Sequence, residues 1–159
     1  MTKTNVMRLL EAAGIAYRTA EYEYDEANLS GLHAAEQVGM DAEQGFKTLV
    51  TRGDKTGILV FCIPVDMELD LKKAAKAVGE KSIDMVKSKE LLGLTGYIHG
   101  GCSPIGMKKF FKTTFQKEAA EYDTIMFSAG KIGYQVELPL KEVSKVIRYQ
   151  LGDIVTEAQ

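Results

Sequence analysis

The sequence predicts an α+β fold: a mixed sheet or small barrel with helices packed outside it. Helix-like and strand-like periodicities are interspersed along the chain. Strict alternation of strand and helix is absent, which argues against a doubly wound parallel sheet. The 159 residues, 45% hydrophobic and 26% charged, are enough to bury a core without disulfides or metal. No repeat, low-complexity stretch or Pro/Ser-rich linker divides them, so one domain over residues 1–159 is expected.

Val6, Leu9, Leu10 and Ala13 recur at helical spacing behind a cap at Thr4, and Gly14 ends the pattern. Residues 15–24, rich in Tyr and Thr, read as extended, and residues 31–38 as a second helix closed by Gly39. Asp41 and Gln44 are capping residues for a further turn. Residues 46–51 and 57–64 are β-rich runs joined by Arg52-Gly53-Asp54-Lys55-Thr56, the composition of a hairpin turn. Asp70 caps a Lys/Ala helix over 71–78 that Gly79 closes, and Ser88 opens a short helix through Leu92. Tyr97-Ile98 starts a strand, residues 108–115 form another, and 124–128 pairs with 133–138 around Ala129-Gly130-Lys131. Pro139 fits the first turn of a last helix through Ile147.

Twenty Lys plus Arg against 22 Asp plus Glu give a net charge of −2, which disfavours a protein that coats nucleic acid by bulk charge. The longest apolar run, residues 58–64, has the length of a strand, far short of the roughly 18 to 20 residues of a membrane span. The N-terminal segment is amphipathic and carries Glu11, unlike a secretory signal. Cys62 and Cys102, 40 positions apart with no CxxC, suit a reducing cytoplasm better than a disulfide or zinc site.

The chemistry concentrates in a few places. Gly100-Gly101-Cys102-Ser103-Pro104-Ile105-Gly106 is a turn whose glycines let backbone N–H groups approach a ligand oxygen, and no acid lies between Gly100 and Lys117. It is neither GxxxxGK[ST] nor GxGxxG, so nucleotide hydrolysis and a dinucleotide cofactor have no motif behind them. The plain alternative is a strand connection with a solvated lysine face. Cys102 as a nucleophile lacks a base other than His99, three residues away, or the distant His33. Lys47 sits in an apolar run, where a lysine is costly unless it reaches solvent or meets an anion. Ser128-Ala129-Gly130 places a small hydroxyl and a glycine beside a strand end. Lys72, Lys73 and Lys76 read as a solvated helix face, and Glu21, Glu23, Asp25 and Glu26 as a solvated edge. No Ser-His-Asp arrangement, HExxH or Asp-rich loop appears, so neither a metal nor another cofactor is expected.

FKTL at 46–49, LDLKKAAKAVG at 69–79, TGYIHGGCSPIGMKK at 95–109 and FSAGKIG at 127–133 are together similar to the YbaK family of prolyl-tRNA synthetase editing domains and free-standing trans-editing deacylases. The resemblance covers nearly the whole chain in consistent order. It implies a largely antiparallel sheet curled into a barrel-like core with flanking helices. It further implies hydrolysis of the ester joining a wrong amino acid to tRNA, with Cys-tRNA(Pro) the first substrate to try. Lys47 then holds the adenosine or phosphate end, Gly101 lines the site with its backbone, and Ser128 to Gly130 border the pocket. Tyr22, Gly100, Pro104 and Gly106 complete the implied substrate-binding set. The substrate's own thiol attacks its carbonyl, so no protein nucleophile is needed, and backbone N–H groups stabilise the oxyanion. Leu29-Ser30 replaces an aromatic residue common in the family, and Gln135 replaces a common Asp, both of which bear on amino-acid choice.

The implied partners are the acceptor end of an aminoacyl-tRNA and prolyl-tRNA synthetase, with no membrane involved. Two rival functions are a deacylase for Ala- or Ser-charged tRNA and a non-catalytic protein binding an aminoacyl or nucleotide ligand. With so little net charge, contact with tRNA is expected to be confined to the acceptor end, through Lys47 and the strip from Lys108 to Lys117, and to be weak and salt-sensitive.

Overall fold

The computed structural model describes residues 2–22 and 44–157. The expected helix at 31–38 with His33 and Gly39, the acidic residues Glu23, Asp25 and Glu26, Leu29-Ser30 and the cap at Asp41 lie outside these.

Helix α1 spans Asn5–Ala12, capped by Thr4, whose hydroxyl accepts the Met7 N–H, and it buries Val6, Met7 and Leu10. The extended segment narrows to β1, Arg18–Glu21. The expected hairpin forms as β2, Phe46–Gly53, and β3, Gly57–Pro64, paired antiparallel from Phe46–Pro64 to Gly53–Gly57. Its turn is tied down by the buried Glu80, whose carboxylate accepts the Lys55 and Thr56 N–H groups. Helix α2, Leu71–Val78, starts at Asp70, which accepts from the Lys72 and Lys73 amides, and ends on Gly79 in the left-handed region.

Beyond α2 the sequence is less explicit. Strand β4, Ile83–Met85, and the later β8, Gln150–Gly152, were not expected. Three residues are too few to show a two-residue period. Helix α3 runs over Ser88–Thr95, one turn further than Leu92. The strand expected at Tyr97-Ile98 does not form. The Thr95 hydroxyl accepts the Tyr97 N–H, Gly100 takes φ +89°, and the Gly101 N–H closes on the Ile98 carbonyl, so the chain turns. Strand β5 begins only at Lys112 and ends at Gln116, β6 is Ile125–Ser128 and β7 is Tyr134–Leu138. The last helix, α4, is the single turn Leu140–Val143, with Pro139 just before it. It tightens into i to i−3 bonds from Lys145 to Glu142 and Val146 to Val143.

Two sheets result, ordered β1-β7-β6 and β4-β2-β3-β5-β8. Pairing is antiparallel except for β3–β5 and β5–β8. An isolated parallel bridge between Gly45 and Met126 joins the sheets into a partial barrel. The core between them holds Phe46, Phe115, Phe127, Val136 and Leu138 with α1. The other face of the larger sheet packs Leu59, Phe61 and Ile63 on Ala74 and Ala75 of α2. Strand β3 is thus covered on both faces, which is why it reads as an unbroken apolar run.

Phe115 is fully buried between Phe46 and Tyr149, with ring centroids 6.1 and 5.4 Å away. Phe115→Ala should cost about 3–5 kcal/mol, read as a lower urea midpoint. A loss below about 1 kcal/mol would mean that this core is not the one that holds the sheets together.

Candidate active site

Strand register decides which of the sequence-derived residues meet. In β2, Phe46 enters the main core and Lys47 opposes Ile63 on the other side of the strand. In β6, Phe127 enters the same core, so Ser128 points away from it. The Gly45–Met126 bridge is parallel, so two residues on in each strand Lys47 and Ser128 share a side. Ser128 pairs with Gln135, and Gln135 with Ala20, which extends that face across the small sheet. Ser128 and Gln135 are only 8% and 7% exposed.

Three further residues converge on the turn after β6. The Tyr22 N–H donates to the Gly133 carbonyl at 2.9 Å, with the residue 8% exposed. The Gly130 N–H donates to Ser128 Oγ at 3.0 Å. A Cβ on Gly101 would lie 3.2 Å from the Ile132 nitrogen, so this glycine lets two backbones pack more closely than a side chain would readily allow. Its own N–H is engaged by Ile98, so the position offers close backbone packing against the turn rather than a donor. Gly100 supplies the left-handed turn that brings Gly101 there.

Pro104 and Gly106 go elsewhere. They line a groove of about 240 Å³ beside α1, with Phe110, Phe111, Val146 and Ile147. Tyr97, which sequence reasoning did not single out as a site residue, connects the two regions. Its hydroxyl donates to the Ile105 carbonyl, and a Cβ added to Gly130 would strike its ring at 2.9 Å. The signal available was a buried-type aromatic immediately before a glycine-rich turn.

Lys47 is half-buried, and burial pushes its ammonium below the ordinary lysine value, opposed by Glu68 and Asp66. It has no hydrogen bond or ion pair among the described residues. Among the described residues it is thus a cation without a partner at the edge of a buried polar face, able to receive an anionic or carbonyl oxygen. Cys102 is the opposite case. Burial pushes its thiol up to about 12, leaving it protonated at neutral pH, and His99 is exposed. Among the described residues no three His, Cys, Asp or Glu side chains cluster as metal ligands, and no helix is long and apolar enough to cross a membrane.

One cation, one hydroxyl and a backbone turn on a buried face suit orientation of a reactive ester more than covalent attack upon it. The aminoacyl-tRNA editing domain profile matches residues 30–146, and the chain belongs to that family. It is 46% identical, over 98% of its length and 94% of the relative's, to an Enterococcus faecalis (strain ATCC 700802 / V583) protein named as a candidate Cys-tRNA(Pro)/Cys-tRNA(Cys) deacylase, EbsC. It is 25% identical to the uncharacterized Bacillus subtilis (strain 168) protein YwhH over 77% of this chain and 78% of that one. Among solved structures it resembles a candidate trans-editing enzyme for prolyl-tRNA synthetase, with TM-score 0.82 and 25% identity over 96% of this chain and 95% of that one.

A partly desolvated Lys47 with no ion pair among the described residues costs stability. Its folded-state pKa lies below the unfolded value, so the cost is full below the folded pKa and fades as pH rises to the unfolded one. Lys47→Met should therefore raise the melting temperature at pH 7, with the difference from the parent shrinking as pH approaches the ordinary lysine value. A lower melting temperature at pH 7 would show that Lys47 is a structural residue.

Proposed function

We propose that this protein is a trans-editing aminoacyl-tRNA deacylase that releases cysteine from Cys-tRNA(Pro), working as a cytoplasmic domain alongside prolyl-tRNA synthetase. Family membership supports the reaction class, and the name carried by the Enterococcus relative supports the substrate. The observation that carries the reading is the shared face of Lys47 and Ser128, beside the turn that Gly101 and Tyr22 pack against.

In this reading Lys47 binds the terminal adenosine or its phosphate and fixes the ester over Ser128. The substrate's sulfur attacks its own carbonyl carbon. The new bond is S–C, the bond broken is the ester C–O, and the thiol proton ends on the departing tRNA oxygen. Water then opens the strained cysteine thiolactone. Charge develops on the carbonyl oxygen, and in this reading the Gly130 N–H is the donor that meets it. That amide is held by Ser128 Oγ, a neutral acceptor that a developing oxyanion outcompetes. Gly101 and Gly100 let the glycine loop pack against the turn, Tyr22 closes one side, and Gln135 beside Ser128 presents a neutral amide to the amino acid. Pro104 and Gly106 act at a distance, by shaping the loop that ends on Gly101.

Purified protein should accelerate loss of cysteine from Cys-tRNA(Pro) over spontaneous hydrolysis. Lys47→Ala should remove most of that rate, and Ser128→Ala, which removes the acceptor that orients the Gly130 N–H but not the oxyanion donor itself, should lower it less. Ser- and Ala-charged tRNA(Pro), which lack the thiol, should be cleaved far more slowly. A rate equal to spontaneous hydrolysis for all three would leave the non-catalytic binding reading, and equal rates on all three would remove the thiol-assisted step.

A further inference from the structure

The groove beside α1 is outside the ester site, and its chemistry is distinct. Phe110 is 57% exposed and belongs to no core cluster, although its neighbour Phe111 packs inward. It forms a ridge, bordering the groove with Pro104 and Gly106 on one side and, on the other, a second depression formed with Ser144, Lys145 and Arg148. Lys109 stands on the first side, its ammonium 5.7 Å from the Phe111 ring, and Arg148 is exposed on the second. Glu142, the nearby acid on α4, is neutralised by Lys145. The stretch from Gly100 to Lys117 contains no acid at all. An aromatic face in solvent between cations that form no ion pair among the described residues complements a strand that offers bases and phosphates alternately. An acidic peptide would use the cations and leave the ring without a role.

We propose that Phe110, flanked by Lys109 and Arg148, is a stacking platform for single-stranded RNA. With the tRNA reading above, on which its identity rests, this RNA is the unpaired 3′ end just before the aminoacylated adenosine. The path is short. Gly101 lies against the turn of the ester site and Gly106 lines the groove, five residues later, so the two are at most about 18 Å apart along the chain. The same loop thus has the ester at one end and the RNA at the other.

The test is fluorescence anisotropy of the full chain with a labelled single-stranded RNA of about eight nucleotides, across a range of salt. Phe110→Ala should weaken binding about tenfold, the loss of one stacked base, and Phe110→Trp should restore it. Lys109→Ala with Arg148→Ala should lower the slope of log affinity against log salt by roughly 1.4, two single-strand phosphates. Lys72→Ala with Lys76→Ala, the same charge removed from the exposed face of α2, should leave the slope within about half a phosphate of the parent. Because Phe110 is exposed, its truncation should not move the melting temperature.

Equal RNA affinity in parent and Phe110→Ala overturns the proposal, as does an α2 pair that acts like the groove pair. Tighter binding of a poly-glutamate peptide than of the RNA, lost in Phe110→Ala, overturns it in favour of a protein partner. If no charged tRNA is hydrolysed but Phe110→Ala still weakens RNA binding, the deacylase reading fails and the RNA platform stands.

Discussion

The rest of the structure depends on where the two sheets are stitched together. The Met126 N–H donates to the Gln44 carbonyl and the Val65 N–H to the Gly45 carbonyl, so residues 44–45 are shared by β6 and by the end of β3. From that point register determines everything. Phe46 and Phe127 enter the core, and Lys47 and Ser128 leave it on one side. A slip of one residue would drive the ammonium into the core and put a phenyl ring in the site. The large apolar burial of Phe46, Phe115 and Phe127 therefore fixes the face on which Lys47 and Ser128 lie.

The two residues that a sequence offers as reactive groups are treated in opposite ways. Cys102 is stripped of water and left neutral, packed with Val50 and Leu91. Lys47 is partly stripped of water but kept next to the residual pull of Glu68 and Asp66, neither close enough to pair with it. Such a lysine, without a hydrogen bond or ion pair among the described residues, favours an incoming anion. A thiol held near 12 contributes packing only. The division of labour agrees with a reaction in which the substrate carries its own nucleophile.

Much of this was legible in the sequence where local chemistry is strong. The hairpin, the caps at Thr4 and Asp70 and the stop at Gly79 each follow from one or two residues whose alternatives are expensive. Strands β4 and β8 exist only because they extend a sheet already formed, and Tyr97-Ile98 has strand-like residues overruled by a hydroxyl cap and a left-handed glycine. For the site, Lys47 was visible as a cation out of place in an apolar run. That it shares a face with Ser128 was not, since that depends on a bridge between residues 81 apart. Sequence proximity also misled in the glycine loop: Gly101 and Gly106 are near neighbours in the chain but face different clefts, because the chain turns at Gly100 and again at Gly106.

The central claim is that the aminoacyl ester sits on the face shared by Lys47 and Ser128. Amide chemical-shift mapping with a non-hydrolysable cysteinyl-adenosine, its ester oxygen replaced by nitrogen, tests this most directly. The account predicts saturable shifts at Lys47, Gly101, Ser128, Gly130 and Tyr22, with the exposed face of α2 silent. Shifts confined to the groove around Gly106 and Phe110, with Ser128 and Gly130 unmoved, would contradict it.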